Sequence, residues 1–361
     1  LAPDEKVGAM NQRLIAASAA VPLVLGLIVA AVLMPLPFVV YAPGYTIDVL
    51  AKDQNDAEII QVQGHKTYRD DGELRMTTVL VTAPETNKSL FELMSAWVDP
   101  DEAVYPEEAV HPKDQTNQQS QVEGEVQMIT SQDAAIAVAQ HELGYDVPAL
   151  PGVAHVDEGG PADGQLLTRD LFLEIGAKKV ATTDDVIKAI KASPAGKPLD
   201  MVVLRDHKRT DVTVTPKQGD DGPIVGIFLG TTYKFPFDVK VNIDPTIGGP
   251  SAGLMFSLAI YDTLTPGSLT DGQIIAGTGE IAPDGAVGPI GGIQQKVVAA
   301  RNDGAELFLV PAANCKDALQ VDSGDMKLVL AETMHSARLA LEEWDADRSA
   351  DLPSCADVKD S

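Results

Sequence analysis

The chain has 361 residues, 45% of them hydrophobic, with 27 basic residues against 53 acidic ones and a formal net charge of −26. That length and hydrophobic content support two or three folded domains and exclude a disordered chain. The charge excludes a nucleic-acid partner, because binding a phosphate backbone needs clustered Lys and Arg.

Residues 1–13 read as an N-terminal tail. No charged residue occurs from Leu14 to Ile47. A bilayer-spanning helix needs about 20 mostly apolar residues, and Leu14 to Leu33 supplies that length. Pro35 and Pro37 would end the helix, so residues 14–37 are expected to be a transmembrane anchor. Lys6 and Arg13 precede the span, which favours an inside N-terminus. The apolar run closes on Phe38-Val39-Val40-Tyr41 rather than on the small residues of a cleavage site, which favours an uncleaved anchor over a signal peptide. The expected location is therefore the cell membrane, single-pass, with the bulk of the chain outside the cytoplasm.

Residues 45–128 read as a mixed α/β segment that packs with the later domains. Met76 to Thr82 is rich in β-branched residues and predicts a strand. Leu90 to Trp97 predicts a short helix, and Lys113 to Gly124, with its run of Gln and Asn, predicts a loop. Ser131 to Leu143 predicts a helix with Ser131 as its N-cap and an apolar stripe of Ala135, Val138 and Ala139.

Residues 129–218 form a β/α unit. Val153 to Val156 and Leu171 to Ile175 predict strands, and Thr183 to Ala192 a helix capped by Thr183. Leu199 to Arg205 and Thr210 to Pro216 predict a closing hairpin. Gly160-Pro161-Ala162, Leu166-Leu167, the run Arg169 to Gly176 and Val180 resemble the core of a bacterial PDZ domain. Arg169 stands where that family usually has Gly. The resemblance implies a module that adds an extended peptide to a sheet edge and holds its terminal carboxylate in a backbone nest. Pro148 to Val153 is the candidate carboxylate loop.

Residues 223–344 carry the chemistry. Ile224 to Leu229 and Phe237 to Ile243 predict strands, and Ser251 to Leu264 a helix lined by Leu254, Leu258 and Tyr261. Strands follow at Ile274 to Thr278, Leu307 to Val310 and Met326 to Leu330. Helices are predicted at Gly292 to Asp303 and Ser336 to Trp344. Residues 345–361 read as a loose acidic tail.

Ser251 lies in Gly248-Gly249-Pro250-Ser251-Ala252-Gly253, where glycines admit close backbone approach and Pro250 suits a helix start. A serine there can be a nucleophile, with the N–H groups of Gly249, Ser251 and Ala252 as oxyanion donors. Helical spacing places Lys296 on a face with Ile293, Ala299 and Ala300. Burial on that face would lower its pKa and leave a neutral amine able to act as base. The alternative is a lysine reaching water at the helix edge.

Gly249 to Gly253, Thr278-Gly279-Glu280-Ile281 and Gly285 to Lys296 resemble the three signature blocks of Lon-type Ser–Lys proteases, in order, with serine and lysine 45 positions apart. The resemblance implies Ser251 as nucleophile, Lys296 as general base and Thr278 as the residue that orients the lysine. It leaves Asp244 and Glu280 either as supports behind the pair or as surface carboxylates. Met76 to Val79 and Trp97 to Pro100, with the predicted anchor and the PDZ-like unit, resemble the membrane-anchored, PDZ-bearing bacterial branch of that family. No G-x-x-x-x-G-K-[ST] segment is present, so the expected activity is independent of ATP.

Gly249 to Gly253 also fits the G-x-S-x-G elbow of an α/β-hydrolase, with His335 downstream, but Pro245, Pro250 and the glycines make a poor preceding strand. His141-Glu142-Leu143-Gly144-Tyr145 lacks the second histidine of a zinc site, so no metal and no cofactor is expected. Cys315 and Cys355 are either one disulfide or two separate thiols. The expected fold class is α+β: an N-terminal transmembrane helix, a PDZ-like domain and a C-terminal Lon-type protease domain. The expected partners are a polypeptide substrate, the membrane and a possible second copy of the chain. The rival reading is a membrane-anchored peptide-binding module whose protease domain is inactive.

Overall fold

A computed structural model describes residues 5–34, 36–84, 86, 88–112 and 115–358. The start of the predicted N-terminal tail, Pro35, Lys113 at the head of the predicted loop and the end of the acidic tail lie outside these residues. The fold is mixed α+β. It divides into two compact units, one of residues up to Pro43 with Val79–Asn117, the other of Gly44–Thr78 with the residues from Gln118 on.

The first unit contains helices α1 (Glu5–Leu33) and α2 (Leu90–Val98). The start of β1 (Phe38–Asp48) pairs antiparallel with β3 (Ala103–Pro106). Among the described residues no helix is long and apolar enough to cross a membrane. This corrects the expected transmembrane anchor over 14–37. Pro22 lies inside α1, where its ring removes a backbone donor and crowds the preceding turn.

In the second unit, the first residues of β2 (Glu73–Val81) pair parallel with β9 (Ile274–Gly277). Strand β9 pairs parallel with β10 (Leu307–Pro311), and β10 with β11 (Lys327–Ala331). Alternation along these strands divides their side chains between two faces. Ile275, Leu307, Leu309 and Val329 share a cluster with α5 (Gly253–Leu264) and α7 (Met334–Ala346). Ala276, Phe308 and Val310 share another with α6 (Ile293–Asn302). The sheet is thus covered by helices on both faces, as parallel sheets require. Helix α5 is apolar nearly all round and is buried along almost its whole length, which makes it the centre of the core.

The second large sheet runs β8-β4-β5-β6-β7, with β8 (Ile227–Tyr233) at one edge. Its other members are β4 (Ala149–Val156), β5 (Leu171–Ile175), β6 (Leu199–Arg205) and β7 (Lys208–Val214). Helix α4 (Thr183–Lys191) packs on it through Val186 and Ile190, beside Ile227 and Leu229 of β8. The cap of α4 is Thr182, one residue before the expected position, in a reciprocal pair with Asp185.

The predicted loop at 113–124 and the predicted cap at Ser131 are both corrected by one element. Helix α3 runs from Asn117 to Glu142, so residues 117–124 are helical and Ser131 lies mid-helix. Gln and Glu are good helix formers, which lets a polar stretch continue the buried half towards its N-terminus.

Candidate active site

Ser251 comes from the turn before α5, on one face of the parallel sheet, and Lys296 from the first turn of α6, on the other face. Thr278 follows β9 directly. The three side chains therefore meet beyond the carboxyl end of a parallel strand, the usual position of a site in such sheets.

The turn can sit there because two glycines remove obstacles. A Cβ on Gly248 would lie 2.9 Å from Gly124 Cα of α3, and one on Gly253 would lie 2.7 Å from the Ile281 side chain and 2.9 Å from Ser131 Oγ. Helix α3 consequently runs against the turn. Gly249 N–H donates to the Gly124 carbonyl at 2.9 Å, and Ser131 Oγ donates to the Pro250 carbonyl at 2.8 Å. Gly279 N–H and Thr278 Oγ1 donate to the Ser251 carbonyl, at 2.8 and 3.0 Å.

Lys296 Nζ lies 2.7 Å from Ser251 Oγ and 3.0 Å from Thr278 Oγ1. Lys296 is 2% exposed, among the buried residues Ile293, Val297, Ala299 and Ala300. Burial alone lowers its pKa from 10.5 to about 7, since removing an ammonium from water penalises the charged form. Among the described residues no carboxylate forms an ion pair with it, so nothing opposes that shift. The hydroxyl proton of Thr278 goes to the Ser251 carbonyl, which leaves its oxygen to accept an N–H from Lys296. With that N–H committed, the amine's lone pair can turn toward Ser251 Oγ.

Of the three expected oxyanion donors, Gly249 is not free, because its N–H is bound to Gly124. Ser251 and Ala252 N–H have no acceptor among the described residues. Asp244 and Glu280 are exposed. Asp244 accepts from Thr246 N–H and Oγ1, and Glu280 lines the wall of a nearby cleft rather than bonding to the lysine. That cleft, about 570 Å³, is bordered by Ser131, Pro250, Glu280, Ile281, and Thr231 and Tyr233 of β8. His335 is exposed and meets Glu142 at 2.7 Å. It makes no hydrogen bond with Ser251, so the structure does not assemble an α/β-hydrolase triad around it. Glu142 also accepts from Arg338 at 2.8 Å, which occupies the carboxylate of the incomplete zinc-like motif. Cys315 and Cys355 form a disulfide.

Pro148 to Val153 does not provide a free strand edge. Strand β4 is paired antiparallel to β8 along its length and meets β5 on its other side. The edge of this sheet next to β4 is β8, entered from Gly226 and flanked by α4. Sequence reasoning missed this edge, and it also missed the contacts of Gly124 and Ser131 with the turn that carries Ser251. The paired glycines 124 and 248 are the only signal of such an approach, and neither position points to the other.

Against models of known families, residues 244–338 match the Lon protease (S16) C-terminal proteolytic domain and residues 126–215 match the PDZ domain. Among curated proteins, the chain is 28% identical over 234 residues to Lon protease of Desulfosudis oleivorans, covering 56% of this chain and 28% of that protein. It is 37% identical over 139 residues to Lon protease of Campylobacter concisus, covering 37% of this chain and 17% of that one. Among solved structures it resembles the PDZ domain of the SdrC-like protein from Listeria innocua, at 24% identity, a TM-score of 0.21 and coverage of 22% of this chain and 90% of that one. The chain spans less than a third of the length of the curated relatives it matches.

Proposed function

We propose that this chain, which carries a Lon-type proteolytic domain and a PDZ domain, is a serine endopeptidase that works with a Ser–Lys pair and without ATP. The observation that carries the reading is the 2.7 Å approach of a buried, uncharged-leaning amine to a serine hydroxyl. Neutral Lys296 takes the Ser251 proton as Oγ attacks the scissile carbonyl, and the carbonyl electrons move onto oxygen. Ser251 and Ala252 N–H receive that oxyanion. The Lys296 ammonium then protonates the leaving amine as the peptide bond breaks, and the same amine later activates the water that hydrolyses the acyl-enzyme.

The polypeptide enters along the edge strand β8, where it completes the strand ladder beside α4. Thr231 and Tyr233 of the same strand border the cleft at the nucleophile turn, so captured chain is delivered toward Ser251. The Cys315–Cys355 disulfide supports a location outside the cytoplasm, where such bonds persist.

Hydrolysis of an unfolded protein, with and without ATP, tests the proposal. We expect equal rates in both conditions and no hydrolysis by Ser251→Ala. The wild-type rate falls as pH drops through about 7, because the protonated amine cannot act as base. A rate that stays flat well below pH 6 would remove lysine from the role of base. Equal hydrolysis by Ser251→Ala and wild type would leave a peptide-binding module in place of an enzyme.

A further inference from the structure

We infer that Ser131 is a positioning residue for the oxyanion donors, acting through the carbonyl of Pro250. This rests on the reading of Ser251 as nucleophile. In a planar trans peptide, C=O and N–H of one unit point in opposite directions. Ser131 Oγ holds the Pro250 carbonyl at 2.8 Å, and this fixes the direction of Ser251 N–H, away from α3. Gly279 N–H and Thr278 Oγ1 hold the Ser251 carbonyl, and this fixes Ala252 N–H in the same manner. Neither N–H has an acceptor among the described residues. Two successive peptide planes are therefore clamped by their carbonyls, and both leave a donor to receive charge.

The clamp on the first plane is needed because Pro250 does not supply it. The proline ring locks its own φ, but the 250–251 plane turns about ψ of Pro250 and φ of Ser251, which the ring leaves open. Gly253 N–H also reaches that carbonyl, but at 3.4 Å, the long limit of a hydrogen bond, so without Ser131 the plane is held only weakly and can turn over to present a carbonyl oxygen where the oxyanion forms, which repels it. Ser131 is suited to prevent this. A serine inside a helix commonly bonds back to its own preceding turn, yet Ser131 is 4% exposed and its hydroxyl reaches a carbonyl 119 positions along the chain. Gly253 leaves the space for that hydroxyl, since a Cβ there would sit 2.9 Å from Ser131 Oγ.

The test uses the full chain with Ser131→Ala and Ser131→Cys, the latter filling the same space with a weaker donor. Four quantities are read: kcat and KM on an unfolded protein or reporter peptide, the acid limb of the pH profile, melting temperature, and affinity for a peptide boronic acid, which forms a tetrahedral adduct on Ser251. We expect kcat to fall roughly ten- to hundredfold in Ser131→Ala, below the cost of deleting a donor outright, and less in Ser131→Cys. Boronate affinity falls by the same factor as kcat, while KM and the acid limb near pH 7 stay in place. Retention of wild-type kcat by either variant would overturn the inference. So would a loss of kcat that moves the acid limb, which would put the hydroxyl's effect on Lys296, or one that leaves boronate affinity intact. Activity in Ser251→Ala, run alongside, would instead overturn the underlying reading of the nucleophile.

Discussion

At the scale of single residues, the site depends on burying an amine without a countercharge. Lys296 binds its proton less tightly folded than unfolded, so between about pH 7 and pH 10.5 the unfolded chain carries more protons and stability rises with pH. Below about 7 both states are charged and the full penalty, a few kcal/mol by the linkage relation, is present. Lys296→Met should therefore abolish hydrolysis and raise the melting temperature. The gain should be largest below pH 7 and should shrink toward pH 10, read as the difference between variant and wild type in thermal melts. Thr278 has a different part, because it both accepts from Lys296 and donates to the Ser251 carbonyl. Thr278→Val keeps the shape but removes both bonds, and we expect kcat to fall at least about tenfold in steady-state assays.

At the scale of elements, what could be read from the chain followed from periodicity and local chemistry. The apolar spacing around Lys296 anticipated a buried face, and α6 buries it. The strands at 171–175 and 199–205 follow directly from their β-branched and aliphatic residues. Two features were not legible. The polar half of α3 has no hydrophobic stripe, and its helicity is stabilised by contacts with the Gly248–Ser251 turn more than a hundred residues later. The edge position of β8 depends on pairing partners, and nothing within Ile227–Tyr233 states which strand lies beside it. The link from the single helical turn at Cys315–Ala318 to Cys355 in the tail is likewise a matter of tertiary placement. That disulfide closes 40 positions of chain, for which loop-closure entropy gives an upper figure of about 4 kcal/mol. Reduction, or Cys315→Ser with Cys355→Ser, should lower the melting temperature of the proteolytic part, and thiol labelling of the unreduced protein should leave both cysteines unmodified.

At the scale of the whole second unit, α3 joins the sheet that ends in β8 to the core around the parallel sheet. Asp133, 2% exposed, accepts from Thr232 of β8 at 2.8 Å and lies 2.8 Å from Arg169 Nε. The approach to Arg169 falls outside hydrogen-bond angles, so the pair acts mainly through charge. Burial raises the Asp133 pKa and the guanidinium opposes that rise. Arg169→Ala would leave the carboxylate buried with no cation and should cost about 3 kcal/mol in denaturant unfolding, whereas Asp133→Asn with Arg169→Ala should recover much of it. Arg169 also holds a left-handed backbone, φ +71°, a conformation that costs a side-chain-bearing residue about 1–2 kcal/mol and a glycine almost nothing. The pair thereby imposes an order on mutational history. Glycine at position 169 relaxes the turn cleanly only after position 133 has become neutral, since the reverse order passes through an intermediate with a stranded buried anion.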